Sequence, residues 1–173
     1  MSILKVARLG HPVLRTKARA LTPSEIRRPE LQQLIDDMIE TMQEYQGIGL
    51  AAPQIHESVR LFVAGIEGED EQIDVLPFIN PVITPLGRNL VEDWEGCLSI
   101  PDIRGRVPRP KDVSVRAFDR HGESFEVTLR GYPARVVQHE ADHLDGVLFV
   151  DRMTSFETLT FLEEYGRYWA EAR

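Results

Sequence analysis

Residues 138–143 read Gln-His-Glu-Ala-Asp-His, an H-E-x-x-H pattern. On an α-helix His139 and His143 stand one turn apart and share a face. Two imidazoles at that spacing can grip one divalent metal ion. Glu140 follows His139 at about 100° around the helix axis. Its carboxylate then lies beside the metal's open position, where it can act as a general base on water. So short a pattern can arise by chance on an ordinary helix, but Glu140 would then be a costly unpaired charge on a buried face.

A catalytic metal of this kind takes three protein ligands and one open position. Two candidates for the third ligand stand in the chain. Cys97, in Glu95-Gly96-Cys97-Leu98-Ser99, offers a thiolate, although a lone cysteine is by default a small buried hydrophobe. Glu163 lies 163 − 143 = 20 residues beyond His143 and would complete the His, His, Glu set of a large class of zinc peptidases. Residue chemistry leaves both open. Gln54 closes the stretch Gly47-Ile48-Gly49-Leu50-Ala51-Ala52-Pro53-Gln54, and its amide can donate to a developing oxyanion.

The flanking residues predict the helix that must carry the histidines. Val137, Ala141, Leu144 and Leu148 make one apolar stripe, and Val136, His139, His143 and Val147 make a second. Arg135, Gln138, Asp142 and Asp145 occupy the remaining side. More than half the circumference is apolar or ligand-bearing, which predicts a largely buried helix running from near Pro133 to near Gly146.

Elsewhere, Thr22-Pro23-Ser24-Glu25 has the form of a capping box, and a helix restarts at Pro29 with Leu31, Leu34, Ile35, Met38, Ile39 and Met42 on one face. Gly47 is its expected stop. Residues 59–64 read as a strand and 68–71 as a solvated acidic loop. Residues 76–83 read as strand pieces that Pro77 and Pro81 confine to edge positions. Two alternating runs around Asp119-Arg120-His121-Gly122 predict a hairpin. Thr154-Ser155-Phe156-Glu157 predicts a capped C-terminal helix with Phe156, Leu159 and Leu162 on one face. His11 reads as a surface or capping residue and His121 as a turn residue. The expected fold is α+β: one domain over residues 1–173, mostly antiparallel strands around a central buried helix, with N-terminal and C-terminal helices.

A net charge of −8 argues against broad nucleic-acid or anionic-membrane binding. No apolar run approaches the ~20 residues of a membrane span. The single cysteine excludes an intramolecular disulfide. With no secretory signal in the first residues, the expected setting is the reducing cytoplasm.

Three stretches, residues 47–54, 95–99 and 138–144, resemble in order and separation the three sequence motifs of the peptide deformylase family. The resemblance extends over nearly the whole chain. It implies a metal-dependent hydrolase that removes the formyl group from the N-terminal formyl-methionine of new polypeptides and releases formate. By resemblance Cys97, His139 and His143 hold the metal, Glu140 moves the proton, and the Gln54 side chain and Leu98 N–H are the oxyanion donors. Ile48, Tyr132 and Val136 match positions lining the methionine pocket, and the peptide backbone would lie along Gly47–Gly49. Glu95 and Arg109 resemble an ion pair that braces the cysteine loop. The family commonly uses Fe2+, with Zn2+, Ni2+ or Co2+ able to substitute. Tyr132-Pro133 departs from the two aliphatic residues found in many members. Residues 156–173 carry Glu157, Glu163, Glu164 and Glu171 against Arg167 and Arg173, which speaks against transient ribosome association through a basic tail helix. The competing readings are a zinc endopeptidase using Glu163 and a non-catalytic metal- or peptide-binding module.

Overall fold

A computed structural model describes residues 2–67 and 72–170; the stretch 68–71, expected to be an acidic loop, lies outside the described residues. The elements run α1 (Pro23–Ile26), α2 (Pro29–Glu44), β1 (Gly49–Ala51), β2 (Leu61–Glu67), β3 (Ile73–Pro85), β4 (Leu90–Cys97) and β5 (Ile100–Pro110). There follow β6 (Asp112–Phe118), β7 (Ser124–Arg130), α3 (Tyr132–Leu144), α4 (Phe149–Arg152), β8 (Thr160–Phe161) and α5 (Leu162–Tyr168). The ladders between these strands are antiparallel. Five strands form one sheet in the order β1-β2-β3-β6-β7, and three form a second, β4-β5-β8.

Strand β2 shows why the large sheet is covered on both faces. Phe62, Ala64 and Ile66 belong to one core with Phe78, Val115, Val137 and Leu144. Leu61 and Val63 belong to another, with Ile35, Met38, Met42 and Ile79. A strand whose successive side chains are all apolar must be buried on both sides. Here α3 covers one face and α2 the other. A third cluster, including Leu14, Ile100, Val107, Leu148 and Phe149, lies under the small sheet. Helix α3 therefore sits between the sheets, packed on β1, β2 and β7 of the first and on β5 of the second.

The caps follow the sequence closely. Thr22 Oγ1 accepts from Glu25 N–H at 3.3 Å, and Glu25 Oε2 accepts from Thr22 N–H at 2.8 Å, which completes the predicted box. His11 caps the 3-10 turn Pro12–Arg15 by accepting from Val13 N–H. Helix α3 ends in a Schellman arrangement: Gly146 N–H bonds to His143 C=O and Val147 N–H to Asp142 C=O, with Gly146 at φ +71°. The helix thus ends close to Gly146 as expected, and Val147 and Leu148, counted in its stripes, lie past that end.

Three expectations are corrected. Residues 73–85 form one continuous strand in the middle of the large sheet, not edge pieces. Pro81 falls at a bulge between Ile79 and Val82, and Pro77 lies where β3 has β2 beside it but pairing to β6 has not begun, so neither proline removes a ladder hydrogen bond on both sides. At the end of α2 the left-handed residue is Gln46 (φ +55°), not Gly47. Ser155 caps a 3-10 turn, Phe156–Thr158, and the C-terminal helix begins only at Leu162. Between them Thr160 and Phe161 are drawn out as β8 by the open edge of β5. Phe156 accordingly stands exposed.

A Cβ at Gly146 would meet the Arg15 carbonyl oxygen at 2.7 Å. Gly146→Ala should therefore cost at least about 1–2 kcal/mol for the left-handed conformation alone. The readout is the urea unfolding midpoint, and an unchanged midpoint would contradict this account of the turn.

Candidate metal centre

Helix α3 presents His139 and His143 with ring centroids 5.1 Å apart. Cys97, the last residue of β4, brings Sγ to 3.3 Å from His143 Nε2. One ligand atom from each of the three lies within 4.8 Å of the others, and no second such group occurs among the described residues. One divalent ion with bonds of roughly 2.0–2.3 Å could bridge donors this close after small side-chain movements. Burial pushes the Cys97 thiol up, but the charges and hydrogen bonds of His143 and His139 outweigh it and hold the thiol well below its usual range. Sulfur is therefore poised as thiolate, the form a metal takes. The donor set fits a metal, and two buried atoms beside it, Glu140 Oε2 and His143 Nδ1, have no hydrogen-bond partner.

Glu140 lies on the buried flank of α3. Burial raises its carboxyl to about 7, partly opposed by the charges of His139 and His143. The chain makes room for it with Gly49, where a Cβ would fall 2.3 Å from Glu140 Oε1. Gln54 is fixed at both ends of its amide. Its Oε1 accepts from Ala51 N–H at 2.8 Å, while Nε2 donates to Ser99 Oγ at 3.2 Å and to Cys97 Sγ at 3.5 Å. Leu98 forms the turn between β4 and β5 directly after Cys97.

The expected Glu95–Arg109 pair is present and bidentate, with Nε–Oε1 2.5 Å and Nη2–Oε2 3.0 Å. It belongs to a larger network. Glu95 Oε2 also lies 2.9 Å from His139 Nδ1, and Arg135 Nη1 donates to Glu95 Oε1 at 2.8 Å. Arg109 Nη1 reaches Asp142 at 2.9 Å, and Asp142 also accepts from Arg152. Burial pushes the Glu95 carboxyl up, but the His139 hydrogen bond and Arg109 outweigh it and keep it below the ordinary carboxylate range. A carboxylate on Nδ1 sets the tautomer and turns Nε2 toward the thiolate.

Ile48, Gly49, Gln54, Cys97, Leu98, Tyr132, Val136, His139 and Glu140 all line one cleft of about 690 Å³. Val136 is buried within it, and Tyr132 stands exposed at its rim. The rival ligand Glu163 is elsewhere: its side chain is 72% exposed on α5 and paired with Arg167. Sequence reasoning missed Arg135, Asp142 and Ser99. The first two were assigned to the polar side of α3, yet both are buried. The available signal was two opposite charges on a helix otherwise predicted to be covered. Ser99 carried no such signal beyond its nearness to Cys97.

The family model for polypeptide deformylase matches residues 3–158. The chain is 42% identical over 168 residues to peptide deformylase 2 of Nostoc sp., covering 94% of this chain and 93% of that protein. It superposes on peptide deformylase from Thermotoga maritima with a TM-score of 0.82 and 39% identity, over 90% of this chain and 100% of the other. A class I type b peptide deformylase from Acinetobacter baumannii with Met-Ala-Ser bound gives 0.82 at 37% identity, over 88% and 99%.

Arg109→Glu would set a third carboxylate against Glu95 and Asp142. It should destabilise the fold by about 3–5 kcal/mol and lower the metal content of anaerobically purified protein. Full metal content in a folded variant would remove Arg109 from the support of the site.

Proposed function

Because this chain belongs to the polypeptide deformylase family, we propose that Cys97, His139 and His143 hold a divalent metal at which the formyl group of a new polypeptide is hydrolysed. The enzyme is a hydrolase, and its reaction releases formate from the N-terminus of formylated nascent peptides. The observation that carries the residue assignment is the convergence of one thiolate and two imidazoles beside an unpartnered, buried Glu140 oxygen. A metal held there supplies a Lewis acid that lowers the pKa of water.

The remaining work falls to side chains. Glu140 takes the proton from the attacking water and passes it to the leaving amine. Gln54 Nε2 and the Leu98 N–H donate to the carbonyl oxygen as it gathers charge. Ile48 and Val136 give apolar walls to the methionine side chain, with Tyr132 at the mouth. Strand β1 is the end strand of its sheet, so its outer edge is open to an extended peptide lying along Gly47–Gly49. Main-chain pairing of that kind recognises backbone more than sequence, as suits an enzyme serving many chains.

The metal we favour is Fe2+; the same thiolate and imidazole set accepts Zn2+, Ni2+ or Co2+. We place the enzyme in the cytoplasm, where its substrates emerge. No helix among the described residues is long and apolar enough to cross a membrane. The acidic residues Glu163 and Glu164 on α5 give no support to ribosome docking through a basic tail.

Anaerobic purification, metal analysis and a formate-release assay on a short formyl-methionyl peptide test the assignment together. Glu140→Gln should keep metal and fold while lowering turnover roughly 10²–10⁴-fold; undiminished turnover would remove it as the base. Cys97→Ala should abolish metal binding and Glu163→Ala should not. The reverse pattern would favour the endopeptidase reading.

A further inference from the structure

The family match stops at residue 158, yet the chain beyond it is built into the cleft. Phe161 and Thr160 pair with Ile103 and Arg104 as β8, extending the small sheet past β5. Thr158 Oγ1 accepts from Arg106 N–H at 3.1 Å, which fixes the approach to that strand. Helix α5 follows, and its first residue, Leu162, lines the cleft. Tyr165 and Trp169 close on Trp94, with ring centroids 4.9 and 5.4 Å away. Trp94 itself lines the same cleft, one residue before Glu95. This segment therefore contributes one apolar side chain directly and holds another in place.

We propose that residues 159–169 form an apolar outer wall of the peptide cleft, which selects a hydrophobic side chain downstream of the formyl-methionine. The inference rests on the deformylase reading and adds a preference to it. Leu162 is 39% exposed and Trp94 is partly exposed, so both have surface left for a ligand to cover. Gly47–Gly49, along which the peptide would lie, line the same cleft as these two side chains. Covering that surface lowers the free energy of the bound peptide without touching the reacting atoms, so the preference appears in KM and not in kcat. Arg104 also lines the cleft and makes no ion pair among the described residues, so an acidic side chain is the competing occupant.

The test compares formyl-Met-Ser-Ser-Ser with peptides carrying Phe or Glu at each downstream position in turn. The parent enzyme should favour one Phe peptide over the all-serine peptide by about tenfold in kcat/KM, through KM. Leu162→Ser, and separately the pair Tyr165→Ala with Trp169→Ala, should bring that ratio towards one. An active parent with no Phe preference, a preference for Glu, or a ratio untouched by both variants would overturn the proposal and leave the deformylase reading standing. A parent that releases formate from none of the peptides would overturn both.

Discussion

One buried carboxylate organises this site. Glu95 accepts hydrogen bonds from Arg109 and Arg135 and meets the ring of His139, all within 3.0 Å. The four residues come from three elements: Glu95 from β4, Arg109 from β5, and Arg135 and His139 from α3. Stripping water from so many charges costs several kcal/mol per ion, so the cluster is tolerable only with every partner in place. That requirement is a geometric one. It locks the β4–β5 hairpin to the central helix in one register, and Cys97 lies two residues after Glu95.

The ligand geometry follows from this lock. With Nδ1 of His139 committed to Glu95, Nε2 is left for the cluster, and the two histidines and the sulfur approach from elements that cannot shift independently. Asp142, one turn along from Gln138 on the same helix, repeats the device more weakly by joining Arg109 to Arg152 of α4. Such ion networks add little net stability compared with well-packed apolar residues. Their value here is positional: a hydrolytic site needs its donors held to a fraction of an ångström. The large sheet contributes the other half of the site, a glycine that admits Glu140 and, in β1, an end strand.

Much of this was legible in the sequence because short local patterns encode it. The H-E-x-x-H spacing, the helix stripes, the Thr22 capping box and the 113–129 hairpin depend on periodicities of 3.6 and 2, which neighbouring residues display. The choice between Cys97 and Glu163 was not legible in residue chemistry, since it depends on which of two distant segments folds against α3; the family motifs pointed to Cys97. The prolines of β3 misled because a bulge and an unpaired stretch, both set by the neighbouring strands, removed their usual penalty. The C-terminal capping signal misled because an open strand edge competed for Thr160 and Phe161. Arg135 and Asp142 were left without a role on the remaining side of α3 because a helix pattern alone does not reveal that a second sheet carries the matching charges.

X-ray absorption at the metal edge of anaerobically purified protein tests the central claim most directly. The account predicts one sulfur scatterer at about 2.3 Å with two imidazole nitrogens at about 2.0–2.1 Å. A first shell of nitrogen and oxygen with no sulfur would contradict it.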